Sequence, residues 1–532
     1  MPRFRARRHQ FVALPTQAAE PRTHCGRYGN LLVKSATGVF IQPVHDAASA
    51  GLPQWARIAR AVRHAAASGA VMDGQRLPSA RQLAQDWQVS RGAVEDAFAE
   101  LQLEGLIERR VGDGTYLRGS AVPGGMPPAP PRPAAPQARR ILERMLTPGG
   151  PGAQLDMARR MQRVPPLHPR ATDIDEFPLD TWRRLMLQAH EEPQRALLDG
   201  APGGGLPVLR AAIARHLAVH RGLACRPEQV LVLSGPGEGM QLVARLLLQP
   251  GDTMWIENPG HASLPWLMES MGIRVQGVPL DDAGLDVQAG LRLAPQAKAC
   301  YLHPLTQYPL GQRTGAARQA ELLGWARASG AWIVEANMND EMLPPALQPP
   351  TLFSRDTSGH TLLLGTFEGV AFPSLRVGYL VLPPALASGF IGAAQVCGEH
   401  VPAPLQWALA EFIDRGHMTR HLQAQRKRCA RKRDTVRRCL LPALPAGVRA
   451  GPLDTGLHLC LQLPDSMKDT DIAERLRRHH VFVECLSQLA WRNPGLNGLV
   501  LGYGGLPAAA LEQGLAAVAQ VLGEAAQVLP AA

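Results

Sequence analysis

Lysine is nearly missing from this chain. Five of its 532 residues are lysines (Lys34, Lys298, Lys427, Lys432 and Lys468), so arginine supplies nearly all of its 56 basic residues. Chemistry that needs a lysine amine has only those five to draw on. The eight cysteines are scattered, with no Cys-x-x-Cys and no Cys/His cluster. That spacing excludes a disulfide scaffold and a zinc site and fits a reduced, cytosolic compartment. No apolar run approaches the roughly 18 residues of a membrane span. The opening "MPRFRARRHQFVALP" has no apolar h-region, which predicts a flexible basic arm rather than a secretory signal. Acidic residues fall short of basic ones, 45 against 56, and the net charge of +11 favours an anionic partner without naming it. With 45% hydrophobic residues the chain can bury a sizeable core, and its length predicts two to four domains.

Four zones follow from the pattern. Residues 1–48 are irregular and carry Arg3, Arg5, Arg7 and Arg8, a basic arm able to touch phosphates. Residues 49–119 are compactly patterned. Residues 120–154 include "AVPGGMPPAPPRPAAP", which cannot build a core and predicts an extended linker. Over 155–532, strands such as "QVLVLSG" and "AWIVEAN" alternate with helical stretches, which argues a mostly parallel sheet with helices on both faces. The basic run "RHLQAQRKRCARKRD", residues 420–434, reads as the solvated face of a long helix.

Within 49–119 the spacing of Trp55, Ile58, Ala59, Val62 and Ala66 predicts a first helix. Ser79 is a good N-cap for a short second helix. A third begins at Ser90, with Val94, Phe98, Leu101 and Leu103 offered to the core. "IERRVGDGTYLRG" then predicts two short strands around a Gly-Asp-Gly turn. This is a winged helix-turn-helix layout, which sets the N-terminus of the third helix in a DNA major groove. Arg91, just inside that helix, suits guanine O6 and N7, while Arg81, Ser90 and the second helix's amides suit phosphates. The wing tip, Gly112, Gly114 and Thr115, can approach a backbone or minor groove closely. An arginine at a helix start is by itself more often merely solvated. The full order "LPSARQLAQDWQVSRGAVEDAFAELQLEGLIERRVGDGTY", however, resembles a GntR-type DNA-binding domain. Ala80 and Ala93 depart from its usual polar residues, which bears on the operator sequence rather than on DNA binding.

The zone from 155 on carries "EFPLDTWRRL", "SGPGEGM", "YLHPLTQYPLGQRT", "WIVEANMNDE" and "GTFEGVAFPSLRVGYLVLP" in that order. In order and spacing these resemble a fold-type I, class-I aminotransferase domain. Joined to the GntR-type head, the chain is similar to MocR-type transcription regulators. The resemblance implies a fold-type I α/β domain and a pyridoxal phosphate site formed between subunits of a homodimer. Such a site needs a lysine for the Schiff base, an Asp against the pyridinium nitrogen, a Tyr on the phenolic oxygen, and an Arg with helix amides for the phosphate. Where the family has "GTFSK", this chain has "GTFEG", so Gly369 stands at the lysine position and Glu368 before it. Where the family has "EDDYDSE", Ala336 replaces the pyridinium-pairing Asp and Met338 the Tyr. His261 stands at the ring-stacking aromatic, and the phosphate turn that includes Ser234 and Gly235 gains Glu238. Arg376 persists, as do Gln307, Tyr308, Pro309 and Gly311.

Glycine cannot form an imine, and Glu238 and Glu368 repel a phosphate dianion. The expectation is therefore a DNA-binding regulator of the bacterial cytosol with no catalytic residues, no metal, no membrane association and no covalently bound cofactor. Pyridoxal phosphate, implied by resemblance only, would be held at most non-covalently. The large domain then acts as a ligand sensor for an unidentified small-molecule effector or as a dimerisation scaffold. Candidate pocket residues are Ser234, Gly235, His261, His303, Tyr308, Glu368, Gly369 and Arg376. Two of them have plainer readings, His303 as a strand-end cap and Arg376 as a partner of Glu368. The competing class is a pyridoxal phosphate-dependent aminotransferase with an accessory DNA-binding head. Arg492 falls near the expected carboxylate-binding arginine, in a loose register.

Overall fold

A computed structural model describes residues 52–67, 69–118, 166–169, 173–191, 197, 202–397, 401–454, 456–492 and 495–527. The arm predicted over 1–48, the linker predicted over 120–154 and Lys34 lie outside the described residues. The chain divides into two compact units, Met1–Ala134 and Ala135–Ala532.

The first unit is built from α1 (Gln54–Ala67), α2 (Ala80–Trp87), α3 (Arg91–Leu103), β1 (Ile107–Arg110) and β2 (Gly114–Leu117). Both predicted caps form. Ser79 Oγ accepts the Gln82 amide at 3.2 Å and Ser90 Oγ accepts the Ala93 amide at 3.1 Å. The strands pair antiparallel from Ile107–Leu117 to Arg110–Gly114. Ile58, Val62, Leu83, Val94, Phe98, Leu101, Ile107 and Leu117 close one core. One expectation fails: Leu103 is 85% exposed, whereas Trp55 lies in the predicted helix and is 38% exposed. At 100° per residue, Leu103 lies about 180° around α3 from Val94, opposite the buried stripe. Trp55 opens α1, where the helix has no preceding turn to cover it.

The second unit carries β3 (Val230–Leu233), β4 (Thr253–Asn258), β5 (Arg274–Asp281), β6 (Gly284–Leu285), β7 (Ala299–Leu302), β8 (Trp332–Asn337), β9 (Thr361–Thr366) and β10 (Gly378–Val381). They form one sheet in the order β3-β10-β9-β8-β7-β4-β5-β6. The centre, β9-β8-β7-β4-β5, is parallel, and β3, β10 and β6 join antiparallel at the edges. Continuous apolar runs suit strands buried on both faces. Thus Val230, Val232 and Leu363 pack with the helices Pro207–Arg221 and Ala403–Asp414. Leu231, Leu233, Leu362 and Leu364 pack on the other side with Met240, Val243 and Phe390.

A smaller sheet of β11 (Arg449–Ala450), β12 (His458–Gln462), β13 (Glu484–Cys485) and β14 (Gly498–Gly502) is antiparallel in the order β11-β12-β14-β13. Leu459, Leu461 and Leu501 on it meet Ile472, Leu476, Leu515 and Val518 of two covering helices. The basic run lies in the helix His417–Cys439 as predicted, but its face is not simply solvated. Lys432 is buried, and its Nζ donates to Asp173 Oδ2 and to the Gly504 carbonyl, both at 2.7 Å. Among the described residues no helix is long and apolar enough to cross a membrane, and no group of His, Cys, Asp and Glu is placed to hold a metal.

Candidate functional site

In the first unit, Arg91 is the first residue of α3 and its side chain is 70% exposed. Glu95, one turn on, lies 3.8 Å from Arg91 Nε and accepts from Arg109 at 2.8 Å. Arg81 lies in the first turn of α2 and is exposed. Ser90 serves chiefly as the α3 cap, its oxygen taken by the Ala93 amide. In the turn between β1 and β2, Gly112 and Gly114 have φ of 81° and 130°, which favour glycine. Arg76, which the sequence pattern did not single out, packs against this wing. It bridges to Tyr116, and a Cβ on Gly114 would stand 2.6 Å from its Nε. Arg110 lies over the Tyr116 ring at 4.5 Å. Helix start and wing thus present arginines in a setting suited to an anionic duplex.

In the second unit, the loops after β3 and β9 meet. Gly235, with φ 147°, is the N-cap of the helix Pro236–Leu247, and a Cβ on it would lie 3.0 Å from Glu368 Oε1 and 3.7 Å from an Arg376 terminal nitrogen. Arg376 Nη1 stands 3.8 Å from Glu368 Oε1. Arg376 adopts left-handed backbone (φ 50°), disfavoured for a residue with a Cβ. Glu238 turns back from the cleft, accepting the Ser234 amide at 2.6 Å and the Ser234 hydroxyl at 2.8 Å. A Cβ on Gly369 would lie 2.9 Å from the Met338 carbonyl oxygen.

Further along, the His261 and Tyr308 rings are 5.7 Å apart, and the Tyr308 hydroxyl donates to Glu484. His458 meets Tyr308 edge-on at 5.0 Å, and burial holds its pKa down to about 4, so the ring there is neutral. His303 is withdrawn from this group. It is 3% exposed, and its amide and Nδ1 both meet Glu257 Oε2, at 3.1 and 3.2 Å. The buried Glu257 carboxyl, pushed up by desolvation, needs that partner. Arg492 is exposed and paired with Glu269 at 3.0 Å.

A family model described as "Bacterial regulatory proteins, gntR family" matches residues 54–117. Another, "Aminotransferase class I and II", matches residues 172–495, over half of the chain. The probable rhizopine catabolism regulatory protein MocR of Rhizobium meliloti is 29% identical over 88% of this chain and 93% of its own. The HTH-type pyridoxine biosynthesis transcriptional regulator PdxR of Corynebacterium glutamicum is 30% identical over 83% of this chain and 90% of its own. The chain belongs to the MocR/GntR class of transcription regulators.

Like that class, this regulator joins a winged helix to an aminotransferase-type fold. The fold matches solved enzymes at low identity. The kynurenine aminotransferase of Pyrococcus horikoshii superposes with a TM-score of 0.63 at 20% identity, over 74% of this chain and 95% of that one. LysN, an alpha-aminoadipate aminotransferase from Thermus thermophilus, gives 0.65 at 21%, over 73% and 98%. For a MocR/GntR regulator with this fold, family resemblance implies a pyridoxal phosphate site at the cleft. On β8 and in the loops after β8 and β9 the regulator has Ala336, fully buried among apolar side chains, together with Met338, Glu368 and Gly369.

Proposed function

We propose that this regulator binds operator DNA as a homodimer in the bacterial cytosol, with α3 in the major groove and Arg91 reading guanine. The observation that carries the reading is Arg91 itself, an exposed guanidinium on the first turn of a helix capped by Ser90. Arg81 and the wing residues Gly112, Gly114 and Thr115 contact the backbone in this reading, joined by Arg76. Replacing Arg91 by Ala should weaken retention of a duplex selected by the wild type by about 5- to 150-fold, the worth of one bidentate base contact. Binding to unrelated duplex at low salt should change little. Fluorescence anisotropy on both duplexes measures this, and an unchanged selected-site affinity removes Arg91 from the recognition surface.

The aminotransferase-like domain, in this proposal, forms no internal aldimine, and the residues present do not fit a covalently held pyridoxal phosphate. Gly369 offers no amine, and the Met338 carbonyl stands where its Cβ would need room. Ala336 gives the pyridine nitrogen no anionic partner, and Glu368 lies against the phosphate turn. The described lysines give no substitute. Lys298, Lys427 and Lys468 are exposed, and Lys432 is held by Asp173 and Gly504. Partners within the chain already engage His303, Tyr308 and Glu368, which supports a dimerisation body over an effector pocket made of them. Incubation with pyridoxal phosphate, borohydride reduction and peptide mapping should yield no modified lysine. A pyridoxyl-lysine peptide would overturn this reading in favour of an aminotransferase with a DNA-binding head.

A further inference from the structure

Helix N-termini attract anions because their first amides lack intrahelical partners and carry the positive end of the dipole. Pro236–Leu247 presents such an end at Gly235, and Arg376 stands beside it. Two carboxylates are near enough to matter, and they behave differently. Glu238 folds onto Ser234, within its own turn. Glu368 comes from the other loop and puts its buried Oε1 against Gly235, within 3.8 Å of Arg376 Nη1. Its own amide donates to Thr366 Oγ1 at 3.1 Å, which fixes the loop that delivers it.

We infer that Glu368 is an internal anion standing where a phosphoryl group would sit, between Gly235 and Arg376, and that it makes the cleft refuse phosphorylated ligands. Two effects act together. The carboxylate fills the space next to Gly235, and its charge repels a dianion at short range. Arg376 keeps a counter-charge without any cofactor, which accounts for an arginine retained in a cleft with no lysine at position 369. The inference rests on the reading that the domain forms no aldimine, and its test uses a probe that cannot form one.

That probe is pyridoxine 5′-phosphate, an alcohol with the cofactor's ring and phosphate, with pyridoxine and inorganic phosphate beside it. Titration calorimetry is run on the full-length wild type, Glu368→Gln, Glu368→Ser and Glu368→Ser/Arg376→Ala, each checked for an unchanged circular dichroism spectrum and melting profile. Glu368→Ser should bind pyridoxine phosphate about tenfold or more tightly than the wild type, the worth of one charge-assisted hydrogen bond. Glu368→Gln, nearly the same shape without the charge, should improve binding less. The improvement should extend to inorganic phosphate, be absent with pyridoxine, and vanish in the double variant. Wild-type binding as tight as that of Glu368→Ser, or an improvement that survives loss of Arg376, overturns the inference. So does a folded Glu368→Ser that binds no more tightly. Tight wild-type binding of pyridoxine phosphate without a lysine adduct would defeat this inference alone, and a lysine adduct with pyridoxal phosphate would defeat the reading beneath it.

Discussion

Replacing Phe98 by Ala should abolish DNA binding near physiological temperature while leaving the large domain folded. Phe98 is 1% exposed and lies at the centre of the only core of the first unit among the described residues, between Ile58, Val62, Val94 and Leu101. Removing a buried phenylalanine costs about 3–5 kcal/mol, through lost burial and the cavity left behind. A single core in a unit under about 70–80 residues rarely supplies more than 3–5 kcal/mol in total. The substitution therefore takes most or all of the winged helix's stability, and the Arg109 guanidinium 5.5 Å over the ring loses its platform as well. Among the described residues this core runs from Ile58 to Leu117, all within the winged helix. A urea titration followed by tryptophan fluorescence should show an early transition in the variant, from Trp55 and Trp87, and an unmoved later one. Retention of the selected duplex at wild-type affinity, with no early transition, would show that the core is far more tolerant than its packing implies.

Local pattern showed the winged helix almost completely, because caps, periodicity and turn glycines are short-range signals. Its misplaced residue, Leu103, was contradicted by the helical period itself: Val94, Phe98 and Leu101 define a stripe that Leu103 cannot join. The cleft divides differently. Which residues each motif contains was legible from the sequence, as with Gly369 in "GTFEG" and Ala336 in "EANMNDE". What each residue does with its neighbours was not. His303 directly follows β7, a strand buried on both faces, so alternation gives no hint that Glu257, from the neighbouring strand, claims it. Lys432 sits in a run of cations that looks uniformly solvated, and its partner Asp173 comes from far earlier in the chain. The wing contact of Arg76 escaped for the same reason. Such pairings are set by tertiary packing, on which local spacing carries no information.

Replacing Arg221 by Met should lower the stability of the large domain by about 3–5 kcal/mol, the cost of leaving a buried charge without its partner. Arg221 ends the helix Pro207–Arg221 with its side chain only 2% exposed, 3.2 Å from Asp340 Oδ2. Asp340 also accepts from Thr306 at 2.7 Å, and Glu341 beside it faces His216 at 3.7 Å. Glu335, Tyr379, His220, Arg426, His303 and Cys225 are the further titratable and charged groups around this cluster. Burial pushes Glu335 up to about 7 and raises Asp340 as well, with Arg221 the chief charge pulling both back down. A carboxyl whose folded pKa exceeds its unfolded value keeps a proton in the fold that the unfolded chain has released. Its contribution is therefore lost as pH rises from the unfolded value of 4.5 toward about 7. Without Arg221 both carboxyls move further up, so the variant's deficit against the wild type should grow between about pH 6 and about pH 8. Denaturant midpoints at the two pH values measure this, and adding Asp340→Asn should recover part of the loss at the higher one. A deficit equal at both would mean that the missing packing of the guanidinium stem, not its charge, sets the cost. The consequence reaches the cleft: Asp340 and Glu341 anchor the turn that carries Met338, whose carbonyl faces Gly369. The same buried arginine that stabilises the domain is therefore expected to steady the backbone that crowds Gly369.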